Sequence, residues 1–268
     1  MNVIRWVGSK RNSAIDIVDK FNTLPKTPNR YFEPMCGGMS VAILYDHPNT
    51  FVCDINYDLI NLYHVISDPD SRNEMLELFS KFENRRGFFY QARETFNEMD
   101  RTFDTDTQIS VPCAAFYYFL VNYSFRGMAR YNRKGNLNGA YGDVVATPKE
   151  YAIMQTPALE SLARKMANWV VACDNYEHMC KDCTEGDLIY LDPPYGSNIP
   201  YLNSFDDMEI AKLVANARAW SNKGVHVAIS YDKADLGERL GSDFSMMELH
   251  AQYRFSNRAV CEYLFTNF

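Results

Sequence analysis

The chain has 268 residues, 47% of them hydrophobic and 23% charged, an ordinary globular composition long enough for one large domain or one and a half. No apolar run approaches the ~20 residues a bilayer span needs, and the N-terminal MNVIRWVGSKRN has no apolar signal-peptide core, so a membrane protein is excluded and a cytoplasmic one expected. A formal net charge of −7 and a pI near 5.3 argue against a simple DNA-coating protein, because neutralising phosphates takes Lys and Arg.

A local basic face stays open. Arg126, Arg130, Arg133 and Lys134 have no acid among them, and Arg5, Lys10 and Arg11 cluster near the start. The 7 cysteines are an odd number on a long chain, which reads as free thiols in a reducing compartment. His178-Met-Cys180-Lys-Asp-Cys183 has no second ligand pair at zinc spacing, so no metal is expected.

In chain order, residues 31–35 read as a short strand running into the turn Cys36-Gly37-Gly38, and Met39 to Leu44 as the start of a helix. Residues 50–54 make a second buried strand ending in Asp54, which completes a βαβ unit. Residues 56–68 and 72–99 read as helical, 100–110 as a polar loop, and 112–121 as an apolar, aromatic helix with Pro112 in its first turn. In 122–145, Gly127, Gly135, Gly139 and Gly142 alternate with Arg, Asn and Tyr, the pattern of a polar hairpin or loop. A Pro-containing segment (147–157) precedes a helix at 158–167 and an apolar run from Trp169 to Cys173. Residues 187–191 form a clear strand that ends at Asp192-Pro193-Pro194-Tyr195. A helix at 207–222 and strands at 225–230 and 260–265 complete the chain. Strands alternating with helices predict an α/β domain with a largely parallel sheet, whose ligands bind at the strands' carboxyl ends. The candidate motifs sit at such ends.

Glycines between strand and helix let a backbone approach a ligand closely. The segment Glu33-Pro34-Met35-Cys36-Gly37-Gly38 is not G-x-G-x-x-G, but Asp54 ends the next strand. An acid there accepts hydrogen bonds from ribose hydroxyls, which favours a cofactor bearing a nucleoside. The same Asp54 also suits a helix N-cap. Trp6 reads either as a core anchor or as part of a cofactor motif with Lys10, whose ammonium suits a carboxylate.

In Asp192-Pro193-Pro194-Tyr195, two prolines make a stiff turn that holds an acid and an aromatic in fixed relation and leaves carbonyls free to accept. Methylating an exocyclic amine needs that arrangement. The adenine N6 lone pair is delocalised into the ring. Acceptors on its two N–H bonds would localise it; the Asp192 carboxylate and the Pro193 carbonyl could supply them, and Tyr195 could stack on the base. A rigid strand-end turn with a capping Asp is the bland reading of the same tetrapeptide.

These motifs resemble those of the Dam-type DNA adenine-N6 methyltransferases, over nearly the whole chain. Trp6-x-Gly8-x-Lys10 is similar to the family's N-terminal cofactor motif, Phe32-Glu-Pro34-Met-Cys36-Gly37-Gly38 to its F-x-E-P-F-x-G-G, and Asp54-Ile55-Asn56 to the acid after the second strand. Asp192 to Tyr195 is the catalytic motif, Tyr201 and Phe205 follow it, and Glu262 to Asn267 resembles the last strand. The motif order is the α-type. The resemblance implies a Rossmann-like seven-stranded sheet with one antiparallel strand and S-adenosylmethionine as cofactor. It divides the chain into a discontinuous catalytic domain, 1–60 and 146–268, and an inserted, mostly helical target-recognition domain, 61–145, carrying a β-hairpin. Cofactor contacts would come from Trp6, Lys10, Pro34, Cys36, Gly37, Gly38, Asp54, Ile55, Asp192 and, after the Trp169–Cys173 run, Asp174.

Within the insert, Asn122 to Asn132 looks like the family's recognition segment. Arg130 would read a guanine or hold a phosphate, Met128 would meet a thymine methyl, and Arg5 stands where the family has a base-contacting Lys. Asn122, Arg126, Asn132 and Tyr141 complete the DNA-binding set. Phe125 and Tyr123 are candidates to fill the gap left by a base flipped from duplex DNA, unless they merely pack. Arg126 replaces a typical Asn, and Ala140 stands where readers of GATC often carry Pro, so the expected site is GATC or a related short sequence. The alternatives are a methyltransferase acting on adenine in RNA, or a catalytically inactive DNA-binding protein. A prokaryotic or phage-like setting is implied, as a solitary methylase or half of a restriction pair, with no obligate protein partner expected.

Overall fold

The computed structural model describes residues 3–101, 108–128, 130–142, 144–195, 205–249 and 262–268. The described helices are α1 (Ala14–Phe21), α2 (Ser40–Tyr45), α3 (Tyr57–Ser67), α4 (Pro69–Ser80), α5 (Arg86–Glu98), α6 (Val111–Tyr123), α7 (Pro148–Met166), α8 (Tyr176–Met179), α9 (Asp207–Asn222) and α10 (Leu236–Leu240). The strands are β1 (Tyr31–Glu33), β2 (Thr50–Asp54), β3 (Val170–Cys173), β4 (Leu188–Leu191), β5 (His226–Tyr231), β6 (Ser245–Leu249) and β7 (Glu262–Thr266). They form one mixed seven-stranded sheet in the order β3-β2-β1-β4-β5-β7-β6. Strand β1 pairs parallel with β2 and β4, and β4 pairs parallel with β5. Strand β7 runs antiparallel to both β5 and β6. The α/β expectation and the expected antiparallel strand are both met.

The described residues fall into two compact units. One comprises 3–8 and 54–173, the other 9–53 and the described residues from 174 onward.

The second unit holds most of the sheet. Every residue of β4 is buried, as a Leu-Ile-Tyr-Leu run must be when both faces are covered. Arg30 and Asp187 form a 2.6 Å ion pair at the foot of β1 and β4. One face packs Ile189, Leu191, Val227 and Ile229 with Leu213, Ala217 and Trp220 of α9, and Cys180 and Cys183 belong to this cluster as free thiols. The C-x-x-C is thus core filling.

The first unit is built around α6, with ten buried residues out of 13. A helix that is apolar all round belongs at the centre of a bundle. Phe79, Phe82, Phe89, Phe119, Tyr123 and Tyr151 pack ring against ring around it. Much of the chain's aromatic content is therefore core.

Two predicted boundaries are corrected. The helix expected over 72–99 is two helices, because 81–85 breaks the pattern: Lys81 closes α4 and α5 starts at Arg86. The helix expected from 158 begins ten residues earlier. Thr147 and Glu150 form a reciprocal capping box, Pro148 occupies the first turn, and Pro157 is accommodated inside α7. Helices α1, α8 and α10 and strand β6 were not predicted. The reading of Tyr201 lies outside the described residues.

Candidate active site and nucleic-acid interface

In the second unit, β4 delivers Asp192 at its carboxyl end, and the two prolines end the strand because neither can donate to the ladder. Three donors converge on one oxygen of Asp192. Lys10 Nζ is 2.7 Å from Oδ1, the Tyr195 hydroxyl donates to it at 2.8 Å, and Ser230 Oγ donates at 2.8 Å. None of the three goes to Oδ2. The Asp192 side chain is 19% exposed and that of Lys10 only 5%. Lys10 also reaches Glu262 Oε1 at 3.5 Å and stands 4.5 Å over the Tyr195 ring. The other ring contact of Tyr195 is edge-on, with Tyr231 at 5.5 Å. Burial, then the charges of Asp192 and Glu262, push the Tyr195 phenol well above its ordinary range, so it stays a donor.

Behind this turn lies Glu33, 3% exposed. Burial, to which the Asp192 charge adds, pushes its carboxyl up to about 8 against the lowering effect of the Tyr31 hydroxyl. That hydroxyl donates to Glu33 at 2.6 Å.

The glycine turn follows directly. Cys36 N–H donates to the Cys53 carbonyl and Met39 N–H to the Cys36 carbonyl. Gly37 has φ 42 and Met39 φ 53. A Met in the left-handed region is strained, and such strain persists only where the surroundings hold it. Pro34, Cys36 and Gly37 are buried and Gly38 is half-buried. Asp174 is occupied by its own element: His178 pairs with its Oδ2 and the Asn175 N–H with its Oδ1.

In the first unit, Asp54 ends β2 and accepts from the Asn56 N–H at 3.0 Å. Asn56, not Asp54, caps α3, through the Leu59 N–H. The next residue, Ile55, is 42% exposed, an apolar surface beside a carboxylate.

After α6 ends at Tyr123, the described residues of the polar segment up to 142 form a loop rather than a regular hairpin. Its antiparallel bridges are isolated, Ser124 with Tyr141 and Tyr131 with Leu137. Its glycines allow close approach. A Cβ on Gly127 (φ +70) would lie 2.8 Å from Arg5 Cβ, and one on Gly139 2.7 Å from the Met128 carbonyl oxygen. Helix α5 braces the loop through Arg93 to Gly139 and Asn97 to Leu137. Arg5, Phe125, Arg126, Arg130, Asn132, Arg133 and Lys134 are exposed. Arg126 has φ 56 and lies over the Phe125 ring. Arg130 contacts Met128 Sδ at 3.0 Å. Tyr141 is half-buried, its hydroxyl on Asn84.

Comparison with known proteins agrees with this chemistry. Residues 6–255 match the family model for D12 class N6 adenine-specific DNA methyltransferases. The chain belongs to this family. Relatives include the Retron Ec67 DNA adenine methylase of Escherichia coli, 26% identical over 91% of this chain and 81% of that protein. The type II methyltransferase M1.LlaDCHI of Lactococcus lactis subsp. cremoris is 26% identical over 92% of this chain and 86% of its own length. A DNA adenine methylase of Escherichia coli is 28% identical over 85% and 79% respectively. The chain is thus an adenine-specific DNA methyltransferase. No helix among its described residues is long and apolar enough to cross a membrane.

Two expectations about the methyltransferase's DNA-binding set are corrected. Asn122 is fully buried, and its amide is used internally. It accepts from the Arg5 N–H and the Tyr151 hydroxyl and donates to the Tyr118 carbonyl. It supports Arg5 and offers nothing to a base. Tyr123 is also fully buried, stacked on Phe119 at 4.8 Å, so it packs. Phe125, 45% exposed, keeps its candidacy.

The reading of the residues missed Ser230 and Glu262 as partners of the Asp192–Lys10 pair. The available signal was a serine closing the apolar run 225–230 and an acid at the head of the last strand.

Proposed function

We propose that the enzyme transfers a methyl group from S-adenosylmethionine to N6 of an adenine flipped out of duplex DNA, at GATC or a related short site. The observation that carries this reading is the convergence of Lys10, Tyr195 and Ser230 on Oδ1 of Asp192. A carboxylate held by three donors on one oxygen presents the other in a fixed direction. Oδ2 then accepts from the adenine amine, and the Pro193 carbonyl takes its second hydrogen. Both acceptors raise electron density on N6 and stabilise the positive charge that develops there. Tyr195, restrained through its hydroxyl, offers its ring to the base.

The residues fit the cofactor. The turn through Gly37 and Met39 has positive φ at both residues, a conformation that would let a ligand approach the backbone closely. Asp54 is oriented by the Asn56 N–H and suits a ribose diol, and the exposed Ile55 suits a flat purine. Trp6 and Gly38 are assigned to cofactor contacts as well. Lys10 is engaged by Asp192 and Glu262, so we assign it chiefly to holding the acceptor. The bound cofactor supplies an electrophilic sulfonium methyl, and the protein supplies alignment.

The recognition role goes to the loop within 61–145. Arg126, Arg130 and Asn132 are exposed on that loop, with Arg5 of the N-terminal segment beside Gly127, Met128 beside Arg130 and Tyr141 half-buried. An adenine amine paired inside a duplex is out of reach of the Asp192 carboxylate, so this reading includes flipping, with the exposed Phe125 to fill the gap.

The test is incubation with labelled S-adenosylmethionine and unmethylated duplexes, followed by mapping of the modified bases. Label on adenine N6 at one short sequence is expected. Label on cytosine, or transfer to RNA in preference to duplex DNA, rejects the reading.

A further inference from the structure

The loop that carries Arg130 and Asn132 is tied by buried polar groups to the first turn of α3, and that turn is tied to Asp54. Tyr131 lies between the two exposed residues and is itself 4% exposed. Its hydroxyl is 2.8 Å from Asp58 Oδ2 and 3.3 Å from Asn56 Oδ1. Arg101 Nη1 binds the same Asp58 oxygen at 2.7 Å, and its Nη2 donates to the Gly135 carbonyl at the loop's far end at 2.9 Å. This network therefore holds the loop on its first arm and at its tip, in addition to the bracing of its second arm by α5. Asn56 is the junction. Its Oδ1 caps α3 through Leu59, its Nδ2 donates to the Tyr117 hydroxyl at 3.2 Å, and its backbone N–H holds Asp54 Oδ1 at 3.0 Å.

We propose that Tyr131 and Asn56 are positioning residues that couple the recognition loop to the cofactor acid Asp54, so that duplex and cofactor each strengthen the binding of the other. This rests on the reading of Asp54 and Arg130 given above. Residue alternation sends Arg130 and Asn132 outward while Tyr131 points into the unit. A shift of the loop onto DNA therefore moves the Tyr131 hydroxyl directly. The groups it moves against are buried: Asp58 is 1% exposed, and Asp58 Oδ1 has no hydrogen-bond partner among the described residues. Buried polar networks are costly to leave half-satisfied, so such a junction favours discrete arrangements over gradual ones. An arrangement of Asn56 that fits the docked loop also fixes the Asp54 carboxylate for a diol. Coupling of this kind is reciprocal by linkage.

The experiment measures the dissociation constant of S-adenosylhomocysteine, an unreactive probe, by calorimetry on the full chain. It is measured with and without a duplex that the wild-type protein methylates. The ratio of the two constants is the readout. The wild type is expected to bind the probe at least about 5-fold more tightly with duplex, the low end of ordinary coupling. Tyr131→Phe keeps the ring and loses only the hydroxyl, and its ratio should fall below about 2. Arg101→Lys keeps the charge, loses the fork to Gly135, and should lower the ratio too. A merely structural role lowers stability or weakens both constants alike and leaves the ratio intact. An unchanged ratio in both variants, or a wild-type ratio of one, overturns the proposal. A wild type that binds no probe even without duplex rejects the cofactor reading itself, and needs no variant to be recognised.

Discussion

Lys10 Nζ lies 2.7 Å from Asp192 Oδ1 and 4.5 Å over the ring of Tyr195, and so touches both ends of the Asp-Pro-Pro-Tyr turn. The ammonium is almost wholly buried, and its second carboxylate, Glu262, is 3% exposed. Removing one partner of such a group leaves a buried charge uncompensated. Lys10→Met should therefore cost roughly 3 kcal/mol of stability, the low end for a broken buried pair because Asp192 keeps some contact with water. Urea denaturation at neutral pH measures it. A loss below half that figure would mean that the pair is solvated in solution.

Ser230 tests the orientation of the acceptor separately from its charge. Ser230→Ala deletes one of the three donors on Asp192 Oδ1 and adds nothing. A hydrogen bond to a charged group contributes about 1.5 kcal/mol or more, equivalent to roughly tenfold in rate if it acts only in the transition state. The expected result is a kcat down roughly tenfold with KM for the cofactor unchanged. A rise in KM with kcat intact would assign Ser230 to cofactor binding.

Glu33 gives the fold a pH dependence. Its carboxyl ionises at about 8 in the folded protein against an ordinary 4.5, mainly because it is buried. The folded state thus holds the proton more tightly than the unfolded state does. The stabilisation is fully present below pH 4.5, declines as pH rises, and is gone once pH passes about 8. Within that window this group lowers stability by of order 1 kcal/mol per pH unit. Glu33→Gln should flatten the decline in Tm across the window. A parallel decline in both proteins would move the effect to another group.

Arg130 and Arg133 are both exposed, three residues apart on the same loop. A fork on a guanine edge contributes about 1–3 kcal/mol of discrimination, whereas a phosphate contact weakens all sequences alike. Arg130→Ala should relax preference at one base position. Arg133→Ala should leave the site unchanged and lower the salt dependence of binding by about one phosphate contact. Site mapping and salt titration read the two outcomes, and an unchanged site in Arg130→Ala makes Arg130 a phosphate contact as well.

The legible parts of the molecule were those written in short stretches of chain. Phe32 to Gly38, Thr50 to Asp54 and Leu188 to Tyr195 each carry a strand, its end and its chemistry within a few residues, because β-strand patterning and turn chemistry are local. The α4–α5 break and the early start of α7 were less legible. The segment 81–85 carries neither proline nor glycine to mark a break, and a proline inside α7 looks like a boundary when the Thr147–Glu150 cap is not weighed.

Sequence alone determined the α/β class, the order of the motifs, and the place of Asp192 at the carboxyl end of a buried strand, since strand patterning and the prolines that end it are local. Tertiary structure decided the rest. It buried Asn122 and Tyr123, although their neighbours Phe125 and Arg126 are exposed, because α6 is the centre of its unit and its last turn is covered. It also brought Lys10 and Ser230 to Asp192, and Glu262 to Lys10, from three other parts of the chain. Partners so far apart in sequence leave no periodic signal, and only packing tells which buried charge meets which.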